Sequence, residues 1–330
     1  MMIISRTPVR VSFCGGGTDV DWFSQASENG GMVTSLALDR YIHVTVNKRF
    51  DNRIRLSYSK LELVDNFEEL EHELVRESMR MTGVTSGVEI TTIADIPSRG
   101  TGLGSSSSVT VGLLNALHSF AGRSVSASQL ASEACKIEID ILKQPIGRQD
   151  QYAASYGGIN TIKFCNNGDV LVEPIDISDD VKSRISEEFT LIFTGKSRSA
   201  SSILSNSVSE GKFAIDNLKR IRVQADEAKD FLNSGRLSDL GSLLNEAWEM
   251  KRGISESVSD SFLDETYERI ISTGATGAKL LGAGGGGFFL VHGDSETRQK
   301  LKLEFSSDFR MIPLNIDNMG SSIIHNDSQR

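Results

Sequence analysis

Only three cysteines occur in 330 residues, Cys14, Cys135 and Cys165, an odd number with no paired spacing. That excludes a disulfide framework and suits reduced, packing thiols in a cytoplasmic protein. Five histidines, His43, His72, His118, His292 and His325, are scattered along the chain. None forms a short-spaced pair with a cysteine, so no structural zinc site is expected. Basic residues are also in deficit: 35 Lys and Arg stand against 44 Asp and Glu, a formal net charge of −9. A balance of that sign disfavours nucleic acid or an anionic membrane as the main partner, although local cations can still hold a small anion. No apolar run is long enough to span a bilayer and no basic start precedes an apolar cleavage region, which points to a cytoplasmic location.

What is present is a globular composition, with 38% hydrophobic and 24% charged residues. A chain of 330 residues is expected to form two packed units sharing a cleft. The segments "YIHVTVNKRF", "RIRLSYS" and, from Gly87, "GVEITTIAD" alternate apolar and polar residues, the pattern of half-buried strands. Val109, Leu113, Ala116, Leu117 and Phe120 then follow helical spacing, with Gly122 as the stop. A second helix is predicted from about Ala127 to Leu142, capped by Ser126 with Gln129 three residues on, and halted by Pro145. After two further strands in "GGINTIKF" and "DVLVEPI", the polar segment from Asp179 to Glu188 carries the crossing into the second unit. The boundary is placed near Ser186, giving units 1–185 and 186–330. From Ser207 to Thr273 the pattern is mostly helical, with breaks at "NSGRLSD" and near Gly253, and the tail "IIHNDSQR" is expected to fray.

Two glycine-rich runs interrupt this pattern. In "GTGLGSSSS", Gly100, Gly102 and Gly104 let the backbone approach an anion, and the helix behind them presents N–H groups without internal partners. Ser105 to Ser108 add hydroxyls for phosphate oxygens or a magnesium ion. The run is neither a P-loop, because no Gly-Lys-Ser/Thr follows at the required spacing, nor a dinucleotide fingerprint, because its third glycine is missing. The second run, "GAGGGGFFLV", holds Gly282 and four consecutive glycines, Gly284 to Gly287. Their backbone entropy is explained by close approach to a ligand or to the first loop. A third set, "RTPVRVSFCGGGTDV", places Arg10 on a strand and Asp19 just past three glycines.

In this order the three motifs resemble those of the GHMP kinases, the family of galactokinase, homoserine kinase, mevalonate kinase and phosphomevalonate kinase. "TPVRVSFCGGGTD" is similar to that family's substrate segment, "PSRGTGLGSSSS" to its ATP phosphate loop, and "KLLGAGGGG" to its C-terminal glycine motif. Within the family, "RVSFCGGGTDV", "GRQDQYAASYGGIN" and "FTGKSRSAS" most resemble the bacterial D-glycero-D-manno-heptose 7-phosphate kinases, which phosphorylate the anomeric hydroxyl of a heptose phosphate. The resemblance implies an α+β fold in two units, an N-terminal one like domain 2 of ribosomal protein S5 and a ferredoxin-like C-terminal one, with ATP and sugar between them.

It also implies roles for individual residues. Asp150 matches the aspartate beside the substrate hydroxyl, acting either as general base or only to orient the alcohol. Arg10 matches the basic residue that keeps that aspartate ionised and steadies the transferring phosphoryl. The phosphate loop, Gly100, Gly102, Leu103, Gly104, Ser105, Ser106 and Ser107, would hold ATP, and Ser106 with Glu138 would hold Mg2+. Glu138 lies seven residues before Pro145, as the family's magnesium glutamate does before its proline, although one extra residue separates Pro145 from Asp150 here and Asp140 is a neighbouring alternative.

Gly16, Gly17, Thr18 and Asp19 would hold the sugar, with "GGGTD" replacing the "GEHTD" of galactokinase-like members and leaving room for a longer sugar. Gly284, Gly285 and Gly286 belong to the same substrate set. Lys196 and Arg198, with Arg148, are candidates for the distal phosphate, the alternative being a solvated basic turn. Cys14, beside the substrate loop, is expected to react with thiol reagents and to be protected by sugar. The expected partner is a small sugar phosphate. The rival readings are a kinase for L-fucose or galactose, a non-catalytic sugar and nucleotide sensor, and a decarboxylase of the mevalonate diphosphate type.

Overall fold

The computed structural model describes residues 1–97, 100–196, 212–253, 258–305 and 310–327. Its first sheet has eight strands, built around the antiparallel pair β1 (Met2–Cys14) and β2 (Gly31–Lys48). On the far side of β2, β6 (Ile159–Phe164) pairs with Gly31 to Leu36, and β5 (Val88–Ala94) pairs with Ile42 to Lys48. β3 (Ile54–Ser57) runs parallel to β5 and carries β4 (Leu61–Val64) on its other side, while β7 (Val170–Pro174) extends β6. The alternating segments read as strands are strands.

α1 (Asp21–Ser24) follows the first glycine loop, and α2 (Glu73–Thr82) precedes β5. α3 (Ser105–Phe120) carries the predicted apolar spacing and is followed by Gly122 at φ +76°. Ser126 caps α4 (Ala127–Cys135), its Oγ accepting from Gln129 N at 3.2 Å. The predicted helix does continue towards Leu142, but its last stretch, Lys136–Ile141, is π-helical rather than α-helical. Such a widened turn is usual where a side chain must be re-aimed, and this one carries the fully buried Glu138. α5 (Gln149–Tyr156) leads into β6.

The polar crossing segment is a helix, α6 (Asp179–Glu188), capped by Ser178 and burying Val181 and Ile185 four residues apart. Ser186 lies in it, just ahead of the second sheet. That sheet is antiparallel, in the order β11 (Arg310–Pro313), β8 (Phe189–Phe193), β10 (Phe288–His292), β9 (Gly277–Leu280). After α6 come α7 (Lys212–Asn233), which packs on β1, β2 and the next helix, α8 (Leu237–Arg252), and then α9 (Ser261–Ser272) and α10 (Ser295–Phe305). The described part of the tail does not fray as expected: Ser322–Asn326 forms β12, an edge strand on β1 with register Ile3↔Asn326 to Arg6↔Ser322, and residues 328–330 lie outside the described residues.

The first residues of β1 alternate in burial, whereas Pro8 to Cys14 are buried without alternation. The reason is that α3 and α5 of the first unit and α7 and α8 of the second all pack on this strand. One apolar core therefore runs through both units, joining Val9, Phe13 and Leu36 to Phe189, Leu191, Phe288 and Leu290. Phe13 and Phe189 meet edge to face with centroids 5.8 Å apart. The cleft between the units is thus held in place by shared packing. Among the described residues no helix is long and apolar enough to cross a membrane.

Candidate active site

Gly104, at φ +73°, caps α3, and the first turn of that helix opens into a cavity of about 1230 Å³. Single-ligand pockets run to roughly 1,000 Å³, so this one has room for two molecules. Gly100, Gly102, Gly104, Ser105, Ser106 and Ser107 all line it. Leu103 does not: its side chain is fully buried, and its carbonyl accepts from Arg10 N at 3.0 Å, so it anchors the loop.

The second glycine loop lies backbone to backbone on the first. A Cβ on Gly102 would stand 2.4 Å from Leu281 O, and one on Gly282 would stand 2.4 Å from Gly102 Cα. Of the two explanations open for these glycines, contact with the first loop is realised here. Gly282, Gly284 and Gly286 line the cavity as well, while Gly285 instead donates its N–H to Val258 O at 2.9 Å.

Where the two loops meet, Arg10 and Asp150 form an ion pair. Arg10 Nε and Nη2 lie 2.7 and 2.6 Å from Asp150 Oδ1, and Nη1 donates to Gly102 O at 2.5 Å. One guanidinium therefore ties β1, the first turn of α5 and the first glycine loop together. Asp19 is 2% exposed and accepts from Gly17 N at 2.9 Å and from Gln149 N and Nε2 at 3.1 Å each. Burial, with the charge of Asp150 second, raises its pKa, and the backbone donors oppose that rise. Gly16, Gly17 and Asp19 line the cavity, but Thr18 is buried and spends its hydroxyl on Gly15 O and Met32 O, at 2.7 and 3.0 Å.

Glu138 stands behind the serines. Its carboxylate accepts from Ser107 Oγ at 2.8 Å, from Thr110 Oγ1 at 2.7 Å and from Gln151 Nε2. Burial pushes its pKa up to about 7 against these donors. The structure therefore pairs Glu138 with Ser107, whereas Ser106 sits exposed on the cavity wall. Gln151 Oε1, beside Glu138, is buried without a partner among the described residues. That orphaned acceptor and the uncompensated carboxylate suit a cation, and magnesium bound mainly through nucleotide phosphates needs only one or two protein oxygens.

Arg148, Lys196 and Cys14 also stand apart from the cavity. Arg148 does not line the cavity: it bonds Gly168 O at 2.8 Å, pairs with Asp21 at 3.0 Å and lies over the Phe164 ring. Lys196 is drawn off by Asp260 at 3.1 Å and the Phe262 ring, because a flexible ammonium settles on the nearest carboxylate. Arg198 lies outside the described residues. Cys14 is fully buried and its pKa is pushed to about 11, chiefly by burial, so the expected sugar-protected thiol is not at the cavity surface.

Sequence reasoning also missed residues. Trp22, Gln149, Lys60, Lys251 and Lys279 line the cavity. Of these only Lys279 carried a signal, a lone cation in the apolar run "GAKLLG" before the glycines.

Residues 72–158 match the family described as "GHMP kinases N terminal domain", and residues 228–310 match "GHMP kinases C terminal". The D-glycero-alpha-D-manno-heptose 7-phosphate kinase of Campylobacter jejuni is 30% identical over 91% of this chain and 91% of its own. In solved structures, a D-glycero-D-manno-heptose 1-phosphate kinase from Bacteroides thetaiotaomicron superposes with TM-score 0.82 at 22% identity, covering 98% of this chain and 99% of that one. A putative sugar kinase from Campylobacter jejuni does so with TM-score 0.78 at 27% identity, covering 98% of each. The likeness over nearly the whole of both chains, and the match to both family domains on either side of the cleft, make this chain a member of the GHMP kinase family, with the family's two-domain α+β fold.

Proposed function

We propose that the protein is an ATP- and magnesium-dependent kinase that phosphorylates the anomeric hydroxyl of D-glycero-D-manno-heptose 7-phosphate, acting in the cytoplasm. The observation that carries the reaction type is the Arg10–Asp150 pair, tied through Gly102 O to the phosphate loop inside a two-ligand cavity. The 30% identity to the Campylobacter jejuni protein over 91% of both chains supports the substrate.

In this reading the nucleotide phosphates lie on the first turn of α3, and the sugar lies against Gly16, Gly17 and Asp19. Asp150 holds the acceptor hydroxyl. As the hydroxyl oxygen bonds to the γ-phosphorus, the bond from that phosphorus to the β–γ bridging oxygen breaks and ADP departs. The hydroxyl proton passes to Asp150 or, if that carboxylate only aligns the alcohol, to water. Arg10 fixes the Asp150 carboxylate through its ion pair and offsets charge on the transferring group. Glu138, with Ser106 or Ser107, would hold magnesium, which when bound neutralises the phosphate oxygens.

A second reading, a kinase for an unphosphorylated sugar such as L-fucose or galactose, is favoured by the engagement of Arg148 and Lys196 elsewhere. Both are tested by incubation with magnesium-ATP and, separately, heptose 7-phosphate, mannose 6-phosphate, galactose, L-fucose and mevalonate. ADP release is followed, and the new phosphate is located by phosphorus NMR. Turnover confined to the heptose phosphate, with a new anomeric phosphate, is the expected result. Turnover confined to a neutral sugar would move the assignment to the second reading.

A further inference from the structure

Besides Lys60, which pairs with Glu71 at 3.0 Å, the described cavity wall contains two lysines whose chemistry the reaction above does not use. Lys279, 6% exposed, donates from Nζ to Ser12 O at 3.1 Å and to Phe13 O at 2.6 Å. Lys251 donates to Leu280 O at 3.3 Å and to Gly282 O. Among the described residues neither ammonium has a carboxylate within ion-pair distance, in a chain where acids outnumber bases. Buried charges are ordinarily paired, because an uncompensated ammonium out of water is costly.

Their anchors locate them. Lys251 holds Gly282 O, Gly282 packs on Gly102, and Gly102 O takes Arg10 Nη1, which leads to Asp150. Lys279 is anchored on Ser12 and Phe13, two and three residues beyond Arg10 on β1. Ser12 Oγ, in a residue 5% exposed that lines the same cavity, has no partner among the described residues. Arg10, Lys251 and Lys279 are three cations, of which only Arg10 is balanced, by Asp150.

We infer that Lys251 and Lys279 form a cationic seat for the phosphoryl group in transfer, at the seam between the two glycine loops. The ligand chemistry that completes such a seat is a phosphate dianion, which can accept from two ammoniums at once. The seam position assigns that dianion to the terminal phosphate of the nucleotide rather than to the phosphate the sugar already carries. Burial, and for Lys251 the nearby charges of Lys279 and Arg10, lower both lysines' pKa, and an arriving dianion relieves that strain.

This inference rests on the kinase reading, but one arm of its test does not need a sugar. The affinities of the full chain for ATP and for ADP are measured by calorimetry, for wild type, Lys251→Met and Lys279→Met. Wild type should prefer ATP, and each substitution should erase that preference about tenfold or more while leaving ADP affinity unchanged. In turnover with the sugar substrate, Lys251→Met should lower kcat about 100-fold or more, the usual cost of removing one donor to a transition-state anion, with the sugar KM within about twofold.

Because Lys279 also joins the two units, its variant is read only if its melting temperature stays near wild type, and Lys251→Met decides alone otherwise. A selective rise in KM for the phosphorylated sugar would transfer the seat to the sugar's own phosphate and overturn the inference. Unchanged kcat and unchanged ATP preference in Lys251→Met would reduce the lysines to backbone clamps. An ATP preference that is lost in Lys251→Met, in a protein that turns over no sugar, would sink the proposed function and leave the two lysines as the seat of the nucleotide's terminal phosphate.

Discussion

Arg10 directs two donors, Nε and Nη2, to the same oxygen of Asp150, at 2.7 and 2.6 Å. The other oxygen, Oδ2, faces Gly104, where even a Cβ would stand only 2.9 Å away. The carboxylate is thereby oriented by one residue and approached by the glycine loop ahead of α3 on its other side. A group held in this way can receive an alcohol without first reorganising, which is the condition for efficient transfer.

On the proposed function, in which the carboxylate acts on the acceptor hydroxyl, Asp150→Asn should lower kcat by about 10²–10⁴-fold with ATP affinity little changed. The same substitution leaves Arg10, 4% exposed, without its counter-ion, so the melting temperature should also fall. Steady-state kinetics and a thermal melt on one preparation check both outcomes, and wild-type kcat would remove Asp150 from the chemistry.

Gly102→Ala should abolish ATP binding. The new methyl would meet Leu281 O at 2.4 Å, at a φ of +74° that side chains other than glycine rarely adopt. Because the clash is with backbone of the second loop, it moves the seam and cannot be relieved by a rotamer change. Nucleotide titration monitored by calorimetry reports the loss directly.

Glu138 makes stability depend on pH. Its pKa is about 7 in the folded chain against 4.5 as the ordinary value, so between those limits the native state holds a proton that the unfolded state has lost. Stability from this group is therefore fully present below about pH 4.5 and declines as pH rises through 7, by roughly 3 kcal/mol in all. Denaturant unfolding of wild type and Glu138→Gln at several pH values should show this slope only in wild type.

Thiol reactivity separates the three cysteines. Cys14 and Cys135 are buried, with pKa values raised mainly by burial, and Cys165 is partly exposed. A native-state titration with an aromatic disulfide reagent should modify Cys165 first and leave activity intact, the other two reacting only on unfolding. Rapid modification of Cys14 with loss of activity would contradict its burial beside the Gly15–Gly17 loop.

How far the sequence carried is best judged residue by residue. Periodicity located β2, β5, α3 and the helices α7 to α9, because burial on one face leaves a repeat that can be read locally. Composition also explained the glycines of the second loop, since only a close approach makes four in succession worth their entropy. The start of the tail differs from its expected fraying because "IIHN" shows no strong alternation; it becomes part of a strand by completing the edge of β1, and that partner lies more than 300 residues away in the chain.

By itself the sequence determined the ingredients of the site: glycine loops at the start of a helix, an arginine on a buried strand, and aspartates beyond glycines. Their family spacing was enough to imply the fold and the reaction class. Only the tertiary structure decided which side chains meet. It joined Arg10 to Asp150 across 140 positions, gave Glu138 to Ser107 rather than Ser106, and drew Lys196 and Arg148 away from the cavity. It also brought Lys251 and Lys279 in. The physical reason is that a charge takes the partner nearest in space, and in a core shared by two units that distance is set by packing rather than by spacing along the chain.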